Sequence, residues 1–245
     1  MTVICVIPAR YDSTRFEGKP LVEICGKSMI QRVYDETRKA KLVDEVYIAT
    51  DDARIRHKSE TFGAKVFMTS RHHASGTDRI AEAIQDLDDD IIVNAQGDEP
   101  LIEPEALDTL IMSMIQEPDI TMATLITPIT DESEYQDPNV VKVVKDKNNF
   151  ALYFSRALLP YSMEGRITTV FKQLGIYAYR RDFLLTFSKL EPTTYEKQER
   201  LEQLRALENN YKIKLIETGY NPISVDVPED IAKVENILRQ RENRA

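Results

Sequence analysis

Arg10, Arg15 and Lys19 share one loop directly after the apolar run Val3–Ile4–Cys5–Val6–Ile7–Pro8. Two forked guanidiniums and one ammonium can contact several phosphate oxygens at once. The chain has a formal net charge of -9, so this loop runs against the average and points to a polyphosphate ligand. Gly18 lets the backbone approach such a ligand closely. Two carboxylates add a second chemistry. Asp98, in Gln96–Gly97–Asp98–Glu99–Pro100, follows the apolar run Ile91–Asn94. A carboxylate at the end of a core strand can hold Mg²⁺, which takes one or two carboxylates and completes its shell with substrate phosphates and water. Asp226, in Val225–Asp226–Val227–Pro228–Glu229–Asp230, is either a helix cap or the second metal ligand, if its segment ends near Asp98. Ser75–Gly76–Thr77–Asp78–Arg79 opens a helix whose free N–H groups suit an anion or a base edge, with Ser75 or Thr77 as its cap. Arg79 in the first turn opposes the helix dipole and implies a negative partner.

Other strings carry less. Cys25–Gly26–Lys27–Ser28 has the ending of a phosphate-binding P-loop, but the required upstream glycine position is Leu21, so it reads as a turn before a helix. No G-x-G-x-x-G occurs, which removes the main argument for a dinucleotide cofactor. His72 and His73 have no third ligand spaced nearby and read as loop residues, and His57 as helix surface. Tyr153–Phe154–Ser155–Arg156 ends a strand with a cation. In Leu201–Glu202–Gln203–Leu204–Arg205, Glu202 and Gln203 flank an apolar stripe.

These residues need elements to position them. Short, β-branched runs predict strands at Val3–Ile7, Glu45–Thr50, Lys65–Met68 and Ile91–Asn94. Helical spacing predicts helices over Ser28–Lys39, Asp52–Phe62, which begins with the cap candidate Asp52, Thr77–Leu87 and Glu105–Gln116. The alternation implies right-handed βαβ crossovers and a mostly parallel sheet, which binds ligands beyond the carboxyl ends of its strands. After Pro118 the pattern turns strand-rich, with Thr121–Thr127, Val140–Lys145, Phe150–Phe154 and Phe171–Tyr179, and suggests a mixed subdomain or dimer-forming arm. A helix over Tyr195–Asn209, a strand at Lys212–Glu217 and a last helix from near Pro228–Glu229 complete the expectation.

Composition narrows the class. The 245 residues are 42% hydrophobic and 30% charged, as in an ordinary globular protein. There is no apolar run of about 18 residues to span a membrane and no basic leader. Two cysteines without metal spacing fit a reducing cytoplasm, and the acidic balance argues against nucleic-acid binding.

Taken together, the strings resemble the cytidylyltransferases that make CMP-Kdo, the activated form of the sugar acid 3-deoxy-manno-octulosonate (Kdo) of lipopolysaccharide. The resemblance runs in family order through Ile7–Pro8–Ala9–Arg10–Tyr11, Ser13–Thr14–Arg15, Gly18–Lys19–Pro20–Leu21, Ala49–Thr50–Asp51, the Ser75 and Gln96 strings, Val141–Lys142–Val143–Val144, Ala151–Leu152–Tyr153–Phe154–Ser155–Arg156, Leu174–Gly175–Ile176–Tyr177, and the Leu201 and Val225 strings. It implies a Rossmann-like nucleotidyltransferase fold of the glycosyltransferase-A type. That fold is an α/β three-layer sandwich with a mostly parallel central sheet, a single domain over residues 1–245 with a sugar-binding and dimerisation subregion near 120–180. It also implies a homodimer and transfer of CMP from CTP to the C2 hydroxyl of Kdo, with loss of pyrophosphate. Carried onto this chain, Pro8, Ala9, Arg10, Arg15, Lys19, Ser75, Gly76 and Gln96 would hold the nucleotide, Arg10 and Lys19 acting in catalysis. Asp98 and Asp226 would bind Mg²⁺. Arg79, Gln96, Arg156, Gln173, Tyr177, Glu202 and Gln203 would line the sugar site. The chain departs from the family at Gln173, where a histidine is usual, at Phe16–Glu17 in place of Leu–Pro, and in a short stretch over Tyr161–Thr169. An 8-amino analogue of Kdo is the alternative acceptor, and a sugar-1-phosphate nucleotidyltransferase or a non-catalytic binding module of the same fold are the rivals.

Overall fold

Val3–Ala9 forms the first strand, β1, and its residues Val3 to Ile7 are all buried. A continuous apolar run of this kind belongs to a strand covered on both faces, as in a parallel sheet. The computed structural model describes residues 1–12, 16–163 and 169–242, so Arg15 and part of the Tyr161–Thr169 stretch lie outside the described residues. The chain divides into two compact units, one of Met1–Asp108 with Pro222–Ala245 and one of Thr109–Asn221.

In the first unit, β2 (Glu23–Ile24) and β3 (Lys27–Ser28) form a hairpin. Cys25 (φ 44°) and Gly26 (φ 76°) between them are both left-handed, the geometry of a tight two-residue turn. The P-loop-like string is therefore a turn, as expected. Helix α1 (Met29–Thr37) follows, then β4 (Glu45–Thr50), α2 (Ala53–Thr61), β5 (Lys65–Met68), α3 (Gly76–Ala83) and β6 (Ile91–Asn94). The four long strands run parallel in the order β6–β1–β4–β5. Helix α3 stops sooner than its apolar spacing suggested, because Ile84 leaves helical geometry and is buried off the helix end. A core of Ile24, Met29, Leu101, Val225 and Val234 seats the C-terminal helix Glu229–Glu242 in this unit. Helix α4 (Pro104–Gln116) carries the chain on to Thr109 and beyond.

The second unit holds β7 (Met122–Pro128), α5 (Glu132–Gln136), β8 (Lys142–Lys145), β9 (Ala151–Ser155), β10 (Phe171–Arg180), α6 (Arg181–Phe187), α7 (Thr194–Glu199), α8 (Leu204–Glu208) and β11 (Lys214–Glu217). Strand β11 runs parallel to β7, while β7–β10, β10–β8 and β8–β9 are antiparallel. The strands of this stretch are mixed, as expected, and α5 and α6 add helices that its strand-rich pattern does not announce.

The single helix expected over Tyr195–Asn209 is two helices. Arg200 takes a left-handed conformation (φ 54°) and ends α7. The chain then folds α8 back, so that Arg205 reaches Glu196 at 2.5 Å and the Glu208 carboxylate accepts the N–H of Tyr195 at 3.0 Å. In an unbroken helix these partners lie several turns apart. A buried ion pair and an acid on the free N–H groups of α7 offset the strained Arg200.

Candidate functional site

A cavity of about 300 Å³ opens beyond the carboxyl ends of β1 and β6 in the first unit. Among its walls are Pro8, Ala9, Arg10, Lys19, Ser75, Gly76, Arg79, Gln96 and Asp98, all anticipated from sequence. The volume is at the small end of ligand pockets. Two glycines let the walls meet. A Cβ on Gly97 would come within 3.0 Å of the Pro8 carbonyl oxygen, and one on Gly76 within 3.2 Å of the Pro8 ring. The strand end at Pro8 is thereby packed against both flanking loops.

Ser75 is the cap of α3, its Oγ accepting the Asp78 N–H at 3.1 Å. Arg79 is buried, and its negative partner is Asp51, whose Oδ2 accepts from Nη2 at 3.0 Å, with Thr69 Oγ1 at 2.6 Å from Nη1. Its guanidinium thus ties the end of β4 to α3 as well as facing the cavity. His73 also lines the cavity. Its Nε2 meets Glu82, whose carboxylate accepts the Ser70 N–H at 2.9 Å. The Ser70 N–H and the His73 side chain hold the Glu82 carboxyl below its ordinary pKa. A loop histidine next to an acid one helix turn past Arg79 was the available sequence signal for this contact.

The carboxylates converge. The Val225 N–H donates to the Asp98 carbonyl at 2.9 Å, which draws Asp226 towards Asp98. Lys19 Nζ lies 2.7 Å from Asp98 Oδ2 and 3.7 Å from Asp226 Oδ1. Asp226 is not the helix cap: Asp230 reaches back, its Oδ2 accepting the Asp226 N–H at 3.1 Å. The residues before it form no strand. One ammonium shared by two carboxylates marks a position already suited to a cation. Among the described residues no cluster of three or more acidic, histidine or cysteine side chains forms a complete cage. Two carboxylates with the remaining positions left to phosphates and water is the donor set that suits Mg²⁺.

In the second unit a polar group surrounds an irregularity in β10. The β10–β7 register shifts between Gln173 and Tyr177, and Thr124 Oγ1 fills the break by donating towards the carbonyls of Leu174 (3.1 Å) and Ile176 (2.8 Å). Bulges of this kind re-aim side chains beside functional sites. Gln203 Nε2 donates to Gln173 Oε1 at 3.4 Å, and Gln173 donates to Leu174 O. Desolvation, with the Glu202 charge adding to it, pushes the Tyr177 phenol well above its ordinary pKa, against a hydrogen bond from Gln173. Glu202 and Gln203 sit in the α7–α8 link rather than on an open helix face, and Gln203 is buried. Arg156 follows β9, its Nε donating to Glu199 O at 2.8 Å and its Nη1 to Pro138 O at 2.9 Å. Lys142 is fully buried, its Nζ donating to the carbonyls of Asp137 (2.8 Å) and Val140 (2.7 Å).

The family model described as cytidylyltransferase matches residues 4–214. The chain is 51% identical over 243 residues to the 3-deoxy-manno-octulosonate cytidylyltransferase of Syntrophus aciditrophicus, covering 98% of each protein. It is 49% identical over 248 residues to the protein of the same name from Syntrophotalea carbinolica, covering 98% of this chain and 99% of that one. A solved structure of CMP:2-keto-3-deoxy-manno-octonic acid synthetase in complex with CTP superposes with a TM-score of 0.94 at 41% identity, covering 98% of this chain and all of the other. A cytidylyltransferase from Leptospira borgpetersenii, at 17% identity and a TM-score of 0.65, shares the fold.

Proposed function

The chain belongs to the cytidylyltransferase family, in the group of 3-deoxy-manno-octulosonate cytidylyltransferases, and from that membership we propose that it transfers CMP from CTP to the C2 hydroxyl of Kdo and releases pyrophosphate. The observation that carries the reading is the Lys19 ammonium resting on Asp98 and Asp226 at the cavity formed by the first loop. The relatives' names favour Kdo over its 8-amino analogue.

In this reading the C2 hydroxyl oxygen of the sugar attacks the α-phosphorus of CTP in line with the departing pyrophosphate oxygen. A P–O bond to the sugar forms, the bond to pyrophosphate breaks, and the hydroxyl proton leaves to solvent. Arg10, Arg15 and Lys19 hold the triphosphate and stabilise the charge that develops on the leaving group. Pro8, Ala9, Ser75, Gly76 and Gln96 seat the nucleotide against the strand end. Asp98 and Asp226 would hold Mg²⁺, which when bound would neutralise phosphate charge and make the acceptor hydroxyl more acidic. Arg156, Gln173, Tyr177, Glu202 and Gln203 are the second unit's candidates for recognising the sugar acid, and Arg79 and Gln96 are those of the first unit. A Gln at 173 hydrogen-bonds a carboxylate or hydroxyl without adding charge.

The protein acts as a homodimer through its second unit. Leu152, Leu158, Tyr161 and Met163 are exposed there, and among the described strands β9 pairs only with β8. An open strand edge with exposed apolar side chains calls for a partner. Cys5 and Cys25 are both free, which suits a reducing cytoplasm. No helix among the described residues is long and apolar enough to cross a membrane.

The test is a pyrophosphate-release assay that pairs each nucleoside triphosphate in turn with Kdo, its 8-amino analogue and a hexose 1-phosphate. Mg²⁺-dependent release with CTP and Kdo alone is expected. Release with a sugar 1-phosphate instead, or with no acceptor at all, overturns the assignment.

A further inference from the structure

Tyr11 and Gly18, next to the cations Arg10 and Lys19, close on one another, and Tyr11 is anchored from a separate helix. Gly18 N–H donates to the Tyr11 carbonyl at 3.0 Å, so the loop's two ends meet just inside Arg10 and Lys19. Gly18 is left-handed (φ 69°) and lies against the Tyr11 ring, where an added Cβ would fall 3.1 Å from Cζ. The Arg54 guanidinium stacks over the same ring, 3.2 Å from its centroid. Arg54 belongs to the first turn of α2, where a cation opposes the helix dipole. Asp52 compensates: it caps α2 by accepting the Arg54 N–H at 2.8 Å and grips the guanidinium at 3.0 and 2.7 Å through its two oxygens. Residues of α2 also pack beside the 3-10 turn Lys19–Leu21 that follows the loop.

We propose that Arg54 is a positioning residue for CTP binding, acting through Tyr11: the cap of α2 holds the guanidinium, the guanidinium holds the ring, and the ring with Gly18 holds Arg10 and Lys19 in place. This rests on the reading that the loop binds the triphosphate. The chemistry is specific. A planar guanidinium stacks on a ring face while still pairing bidentately with a carboxylate, and an ammonium cannot do both equally.

The test measures CTP binding by calorimetry together with separate KM values for CTP and Kdo, in Arg54→Ala, Arg54→Lys, Tyr11→Leu and, as a control, Lys19→Met. Loss of one exposed cation–π contact predicts about fivefold weaker CTP binding for Arg54→Ala. The KM for CTP should rise in step, with the KM for Kdo unchanged. Arg54→Lys should recover part of the loss, and Tyr11→Leu, which removes the ring face, should weaken CTP binding at least as much as Arg54→Ala does. A parallel rise in both KM values in Arg54→Ala means general loosening and overturns the proposal. So does parental CTP affinity in Arg54→Ala while Lys19→Met binds poorly, an outcome that leaves the triphosphate reading standing. Parental CTP affinity in both variants removes that reading along with the proposal.

Discussion

Replacing Lys19 by Met keeps the side chain's length and removes its charge from between Asp98 and Asp226. The ammonium lies 2.7 and 3.7 Å from the two carboxylates. Side-chain exposures of 16% for Lys19, 30% for Asp98 and 45% for Asp226 put the group in a half-wet environment. Even at the dielectric of water the two attractions come to about 1.5 and 1.1 kcal/mol. Desolvation and side-chain ordering offset part of this, and measured pairs of such exposure contribute about 0.2–1 kcal/mol each. Removing the charge also leaves two carboxylates repelling one another with no cation between them. The expected loss is therefore about 1–2 kcal/mol without divalent metal, or a melting temperature lower by roughly 2–8 °C for a chain of this size. Saturating Mg²⁺ should close most of that gap, because a divalent ion takes over the ammonium's task and stabilises whichever protein it binds. The same substitution should tighten binding of Mg²⁺ to the nucleotide-free protein, since the competing cation is gone, while it weakens CTP binding. Paired thermal melts in chelator and in Mg²⁺, with calorimetric titration of the metal, measure both effects. An equal deficit in the two conditions, or weaker Mg²⁺ binding by Lys19→Met, would refute the idea that these carboxylates form a cation site.

Three further outcomes are expected. Asp98→Asn keeps a neutral acceptor for Lys19, so it should melt within a few degrees of the parent yet lose turnover by about a hundredfold or more in steady-state pyrophosphate assays. Charged substitutions at Leu152 and Met163 should shift the sedimentation coefficient to that of a monomer, and unchanged sedimentation would remove the exposed patch from the interface. The Glu82 carboxyl is held below its ordinary value of 4.5 by the Ser70 N–H and His73. Its contribution to stability is complete above that value and lost as pH falls through the lower, folded one, so acid melts of Glu82→Gln should lack this component while those of the parent retain it.

Much of the first unit was legible because its signals are local. Glu45–Thr50, Lys65–Met68 and Ile91–Asn94 are strands with the very bounds that their apolar runs indicated. Each is a short β-branched run stopped by polar or turn-forming residues, and nothing distant is needed to read it. Asp52 and Ser75 cap their helices for the same reason: a cap bonds residues two or three positions away. The chemistry of the cavity also followed from residue types at strand ends, since in a parallel sheet those ends share one side.

What lay beyond local reach was decided by the returning chain. The apolar stripe of 195–209 has helical spacing throughout, yet Glu196–Arg205 pairing and the Glu208 cap stabilise a break at Arg200 that no local pattern announces. The partner that Arg79 required was Asp51, on another element. The stacking of Arg54 on Tyr11 joins a helix start to a loop that sequence spacing does not connect. Periodicity and capping are properties of near neighbours, so the strands of the first unit, the caps of α2 and α3, and the residue types able to do chemistry could be read from local sequence, whereas α5, α6 and the break at Arg200 could not. Only the tertiary structure decided that Lys19 and Asp98, 79 residues apart, would share a contact with Asp226. Such contacts depend on where the sheet and the C-terminal segment bring distant charges together, and charge attracts whatever the fold places nearby without leaving a repeat in the sequence to mark it.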